Sequence, residues 1–288
     1  MFSAMEPLNT EEIKRAVKLA LSEDIGSGDV TTLATVPEEA LIAAEMGARE
    51  PLVVAGLALA EAAFRELSDS VQITRMMQDG QRAILGSVLL KISGPARAVL
   101  SAERVALNFV QRLSGVATLT AQFVETIKGT GATILDTRKT TPGWRWFEKY
   151  AVTCGGGQNH RLGLFDMVLI KDNHLAALKD AAPNPIAAAV NGARTKYPKL
   201  KIEVEADTLE QVEQAVAAGA DMVLLDNMNL EQLRTAVTKC RGHAKSEASG
   251  GINLATIRGI AETGVDFISV GALTHSARAV DIGLDFEN

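Results

Sequence analysis

The 288-residue chain carries 35 Asp and Glu against 29 Lys and Arg, a formal charge of −6, with 47% hydrophobic and 4% aromatic residues. That apolar content is ample for a buried core in one large domain or two ordinary ones, and it sets aside disordered and fibrous classes. An acidic chain poor in aromatics, without a basic stripe, also lacks what nucleic-acid binding requires, which leaves small polyanions as ligands.

The first twenty residues hold Glu6, Glu11 and Glu12 and show neither a basic leader nor an apolar h-region. The apolar run over 52–60 ends at Glu61, about half of the roughly 20 residues a membrane span needs. Cys154 and Cys240 are too few for a disulfide framework, and neither is tied to a His or an acid by a catalytic signature. The reading is a cytoplasmic protein with no membrane partner and two buried structural cysteines.

Ile13, Val17 and Leu21 recur at i+4 and predict an amphipathic helix over 10–23, capped by Asn9 or Thr10. Between 41 and 100, Glu50-Pro51, Asp79-Gly80 and Gly94-Pro95 separate short candidate strands, with a helix over 57–67. From Ala102 a long helix follows, with Val105, Phe109 and Leu113 on one stripe. It predicts the link between a mixed α+β first domain and a second domain.

After Gly129 the texture becomes strand, loop, helix. The runs 132–136, 167–171, 201–205, 222–226 and 267–271 are short, apolar and closed by a polar residue or Gly, as suits parallel strands covered by helices. Thr208, Asn229 and Asn253 open connecting helices with one shared phrase, and Gln211 and Gln232 complete capping boxes behind the first two. No early G-x-G-x-x-G marks an open dinucleotide-binding sheet, so a closed or nearly closed α/β barrel with its site at the C-terminal rim is favoured.

Residues 136–174 hold six Lys or Arg against four acids within this acidic chain. Arg138, Lys139, His160, Arg161 and Lys171 fall at strand ends or in a Gly-rich loop; Arg grips planar carboxylates and Lys suits phosphate. The plain alternative is surface charge paired with Asp136, Asp166 and Asp172. Glu203 and Glu205 share a strand face, and Glu205 is the one at the rim. With Asp226 it can hold ribose hydroxyls, carry Mg²⁺ beside phosphates or face a developing positive charge; an acid neutralised by a barrel Lys is the duller reading. Ser249, Gly250, Gly251 and Gly271 follow the last two strands, where barrels build phosphate cradles. Gly155, Gly156 and Gly157 read as a second cradle or, by preference, as a flexible loop presenting His160 and Arg161. His174 lacks metal-site spacing and is left out of the site.

Taken together, Glu23 with 24–32, Arg104 within 103–109, Thr137-Arg138-Lys139-Thr140-Thr141-Pro142-Gly143, Asn159-His160-Arg161, Lys171-Asp172-Asn173-His174, Glu203-Val204-Glu205, Asp226-Asn227 and Glu247-Ala248-Ser249-Gly250-Gly251 resemble the quinolinate phosphoribosyltransferase family nearly end to end. Trp144 and Trp146, flanking Arg145, are bulkier than that pattern. The resemblance implies an N-terminal α/β sandwich (1–115, joined by a tail at 276–288) and a seven-stranded, TIM-like α/β barrel (116–275). It implies transfer of phosphoribosyl from 5-phosphoribosyl 1-diphosphate to quinolinate with decarboxylation, in NAD biosynthesis, with Mg²⁺ as cofactor.

In that scheme Arg104 reaches a neighbouring subunit's site in a swapped homodimer, which can be built into a hexamer. Thr137, Arg138, Lys139, His160, Arg161 and Lys171 bind the substrates. Glu205 and Asp226 serve ribose and Mg²⁺, directly or through water. Ser249, Gly250, Gly251 and Gly271 hold the 5′-phosphate, and Lys139, Lys171, Glu205 and Asp226 are the catalytic set. The rivals are a related phosphoribosyltransferase acting on nicotinate or another small acid, a Schiff-base aldolase using Lys171, and an anion-binding protein without activity.

Overall fold

The structure, a computed structural model, describes residues 8–286. The leader reading at Glu6 and the last two residues of the expected tail lie outside the described residues. In chain order the elements begin with α1 (Thr10–Ile25), α2 (Val30–Thr35), β1 (Leu41–Ala48), β2 (Leu52–Val53), α3 (Leu57–Leu67), β3 (Gln72–Arg75), β4 (Arg82–Ala83), β5 (Val88–Pro95) and α4 (Ala96–Thr126). They continue with β6 (Thr133–Leu135), α5 (Arg145–Cys154), β7 (Val168–Ile170), α6 (Asp172–Ala176), α7 (Pro185–Lys196), β8 (Ile202–Ala206), α8 (Leu209–Ala217) and β9 (Met222–Asp226). The last are α9 (Leu230–Cys240), β10 (Lys245–Ser249), α10 (Ile257–Ala261), β11 (Phe267–Ser269), α11 (Ala272–His275) and β12 (Ile282–Phe286).

Two compact units emerge. One comprises residues 8–121, Thr141–Gly156 and 276–286; the other comprises Gln122–Thr140 and Gly157–His275. The first unit thus runs to Ala121 within α4, and α5 groups with it. Its four-stranded antiparallel sheet has the order β12-β1-β5-β3, with Ala44 opposite Ile92 on one side and Phe286 on the other. Alternation along β1 buries Ala44, Met46 and Ala48 on one face, as a sheet covered on one side requires. In α1 the predicted stripe of Ile13, Val17 and Leu21 is buried, and Asn9 Oδ1 accepts the Glu11 N–H at 2.8 Å as its cap.

The second unit is a parallel sheet of order β6-β11-β10-β9-β8-β7. Gln158 adds a one-residue parallel bridge to Leu135, on the β6 side. Six strands, joined by five ladders, and this bridge stand where seven strands were expected. Met222, Val223, Leu224 and Leu225 are all buried, the burial of a strand covered on both faces. Both predicted capping boxes form, at Thr208 with Gln211 and at Asn229 with Gln232. The third helix differs. Asn253 caps Ala255 and Thr256, but Thr stands where the box needs Gln, and α10 is only five residues long.

Gly155 corrects the flexible-loop reading. A Cβ there would lie 2.4 Å from the Ala117 carbonyl oxygen and 2.6 Å from Thr120 Cβ, so Gly155 is a close-approach glycine between α5 and α4. Cys154 is buried, and burial pushes its thiol up to about 12, which removes it as a nucleophile at neutral pH. Trp144 stacks on Phe109 at 5.0 Å between ring centroids and meets Phe147 edge-on, whereas Trp146 is exposed.

Candidate active site

Each strand of the parallel sheet delivers a predicted residue at its C-terminal end. Thr137, Arg138 and Lys139 follow β6, Lys171 follows β7, Glu205 and Asp226 sit in the last turns of β8 and β9, Ser249 ends β10, and Gly271 follows β11. Parallel strands put all these ends on one edge, so residues more than a hundred positions apart share a rim. Register brings them level: Ser249 pairs with Asp226, and Glu205 pairs with Leu224, two residues below Asp226 on the same face.

The cations are shaped by local contacts. Thr137 Oγ1 accepts the Lys139 N–H at 3.0 Å, and Thr274 Oγ1 donates to the Lys139 carbonyl at 2.7 Å, which fixes the backbone after β6 while Lys139 itself stays exposed. Arg138 Nε is buried without a hydrogen-bond partner. A guanidinium N–H in that state is costly unless an anion completes it. Arg161 Nη1 donates to the Met167 carbonyl at 3.2 Å; burial, and then the like charge of Arg138, draw its pKa down. Two arginines thus crowd one another against the grain of their charge, as groups built around a polyanion do.

Lys171 is ion-paired with Glu205, the contact that the neutralised-acid reading foresaw, and it lies at the half-exposed rim rather than in the interior. Asp226 Oδ2 accepts from Asn227 Nδ2 at 2.7 Å. Asn227 takes a left-handed backbone, φ 54°, and its N–H donates to the Ser249 carbonyl at 3.0 Å. Gly250, at φ +100°, passes so close to Asn227 that a Cβ would lie 2.2 Å from Oδ1. Strand β9 and the loop after β10 are therefore locked together beside the expected phosphate cradle. Arg104 is exposed on α4, in the other unit. His174 Nδ1 accepts the Lys171 N–H at 2.9 Å within a capping box, an ordinary hydrogen-bonded histidine.

His160, an expected substrate contact, is buried behind the rim. Its side chain is 6% exposed, Nε2 lies 2.9 Å from Glu203 Oε2, and Nδ1 accepts the Arg161 N–H at 2.8 Å. Both ring nitrogens are thus engaged with the protein. Glu203 and Glu247, wholly buried, flank it, and the ligand atoms of these three residues lie within 4.8 Å of one another. Burial pushes Glu203 up to about 7, although Arg161 and Lys171 pull it down, and burial together with the Glu203 charge raises Glu247 well above the carboxylate range. Glu247 stands in a recognised sequence motif without an expected role; its signal is an acid at mid-strand, between Ser246 and Ala248.

Residues 116–285 match the family described as quinolinate phosphoribosyl transferase, C-terminal domain, and residues 29–114 match its N-terminal domain. The chain is 44% identical over 275 residues to the carboxylating nicotinate-nucleotide pyrophosphorylase of Mycobacterium leprae, covering 93% of this chain and 95% of that one. It is 40% identical over 298 residues to the decarboxylating quinolinate phosphoribosyltransferase 1b of Nicotiana tabacum, covering 96% and 83% respectively. The solved nicotinate-nucleotide pyrophosphorylase of Francisella tularensis superposes with a TM-score of 0.93 at 39% identity over the full length of both chains. The cationic rim, the carboxylate pair and both halves of the sequence agree: the chain belongs to the quinolinate phosphoribosyl transferase family.

Proposed function

We propose that this chain transfers the phosphoribosyl group of 5-phosphoribosyl 1-diphosphate to quinolinate with decarboxylation, giving nicotinate mononucleotide, diphosphate and CO₂. The observation that carries the reading is the unpartnered Arg138 Nε beside Arg161, on a rim that also holds Lys139, Lys171, Glu205 and Asp226. A diacid and a sugar phosphate together use that many cations; a monoacid leaves a guanidinium without a partner.

In this reading Arg138 and Arg161, with Thr137, hold the two ring carboxylates. Ser249, Gly250, Gly251 and Gly271 offer backbone N–H groups to the 5′-phosphate, and Lys139 and Lys171 face the diphosphate. The diphosphate leaves ribose C1 with its bonding electrons, and Glu205 and Asp226 stabilise the cationic character left on the sugar while holding its hydroxyls. The pyridine nitrogen then donates its lone pair to C1. That nitrogen becomes a fixed positive charge next to C2, so the C2 carboxylate departs as CO₂ and leaves an electron pair that the cationic ring stabilises until water protonates it. The protein's share is to orient the reactants and exclude water.

Glu205 and Asp226 suit Mg²⁺: they are hard oxygen donors on adjacent strands, and a pair of carboxylates leaves positions for water and phosphate oxygens, which this ion prefers. When bound, Mg²⁺ neutralises charge on the diphosphate. Arg104 completes the site from a second copy of the chain, in a homodimer with shared sites.

The test is turnover of the full chain with quinolinate, donor and Mg²⁺, followed by CO₂ release, beside a parallel reaction with nicotinate. Stoichiometric CO₂ and nicotinate mononucleotide from quinolinate are expected. Consumption of nicotinate, with quinolinate inert, would transfer the assignment to the monoacid alternative.

A further inference from the structure

Glu203 and Glu247 have no part in the reaction described above, yet both are wholly buried in the barrel interior. Glu203 Oε1 and both Glu247 oxygens lack hydrogen-bond partners. Apolar side chains of similar volume would be at least as stabilising there, so the acids are not accounted for by stability. They face one another, Glu247 also faces Ser269, and both reach His160, with Glu203 Oε2 at 2.9 Å and Glu247 Oε2 at 3.5 Å from Nε2.

The opposite ring nitrogen settles where the imidazole proton resides. Nδ1 accepts the backbone N–H of Arg161 at 2.8 Å, and a ring nitrogen that accepts carries no proton. Nε2 therefore holds the proton and donates it to Glu203. The backbone of the same residue is pinned independently: the His160 N–H donates to Asp136 Oδ1 and Asn159 Nδ2 donates to Asp136 Oδ2, each at 2.8 Å. The ring is thus clamped between the interior acids on one side and the main chain of Arg161 on the other.

We propose that Glu203 and Glu247 are positioning residues that hold His160 in its Nε2–H form, so that His160 Nδ1 fixes the backbone of Arg161 and aims its guanidinium at the acid substrate. His160 then acts through Arg161 and not on the substrate. Were the ring to change tautomer, Nδ1 would present a hydrogen to the Arg161 N–H, and were it to flip, Cδ2–H would; either way the backbone of Arg161 would lose its acceptor and move. The inference rests on the reading of Arg161 as a carboxylate-binding group.

The experiment compares E203L, which removes the acceptor, with E203Q, which keeps an oxygen for Nε2–H. E203L is expected to raise KM for quinolinate about tenfold while KM for the donor stays within about twofold, and E203Q is expected to restore the quinolinate KM. An equal rise in both KM values, no rise in either, or failure of E203Q to restore would overturn the proposal. Nitrogen-15 NMR of the unsubstituted protein, with the His160 ring assigned by its loss in H160Q, is expected to show protonated Nε2 and bare Nδ1. The reverse tautomer overturns the proposal even if the variants do not fold, as does an equivalent of transition metal that stays bound through chelation. An unsubstituted chain inert towards quinolinate would sink the functional reading instead, and the NMR result would stand apart from it.

Discussion

Gly250 illustrates how one residue binds two strand ends into a site. Its φ of +100° is foreign to L side chains, and a Cβ would lie 2.2 Å from Asn227 Oδ1 and 2.9 Å from Asn227 N. Gly251 has φ +60° but nothing within 4 Å of an added Cβ. Alanine at Gly251 therefore meets only the backbone cost, of order 1–2 kcal/mol, whereas alanine at Gly250 must also displace Asn227, which flanks Asp226. The expected order is a larger loss for G250A than for G251A, in both donor KM and urea midpoint.

Glu247 couples folding to pH. Its folded pKa is raised above the ordinary 4.5 by burial and by Glu203. Such a group favours the folded state below 4.5 and surrenders that advantage as pH climbs towards its folded value, because the unfolded chain ionises first. Stability of the unsubstituted protein should therefore fall relative to E247Q as pH rises from 4.5, read as urea midpoints across the range. A constant difference would mean that Glu247 ionises alike in both states.

At the scale of elements, caps are cheap to test. Asp29 Oδ1 accepts the Thr32 N–H at 3.0 Å to cap α2, and Ser101 Oγ on α4 donates to its other oxygen at 2.9 Å. D29A should cost about 1 kcal/mol in chemical denaturation and D29N much less, since Asn caps as well as Asp. The capping phrases at Thr208 and Asn229 were legible in the sequence because a cap is a local contact with a fixed offset. So were the strands at 132–136 and 222–226, whose apolar runs stop at Asp136, just before the rim, and at Asp226, on it. Strand β10 was marked only by the Ser249-Gly250-Gly251 turn after it, because Lys245-Ser246-Glu247-Ala248-Ser249 is polar and its buried Glu247 meets His160, far away in sequence. Gly155 was misread for the same reason: its partner is Ala117 on α4, and nothing nearby announces the contact.

For the whole molecule, sites shared between two chains would make activity depend on which chains pair. The net charge of −6 conceals a cationic rim, and two exposed members of the expected binding set, Arg104 on α4 and Lys139 after β6, lie in different units of the chain. If Arg104 serves the site of a second copy, R104A and K139A damage different halves of each composite site. Alone, each variant spoils every site in its homodimer. In a mixed dimer one site collects both substitutions and the other collects neither. Random pairing of equal amounts makes half of the dimers mixed, so about one quarter of all sites are intact. Coexpression of the two inactive variants, followed by a quinolinate assay per subunit, should recover about that fraction of unsubstituted activity. If each chain supplies its own Arg104, no pairing can rebuild a site, and the mixture stays as inactive as its components.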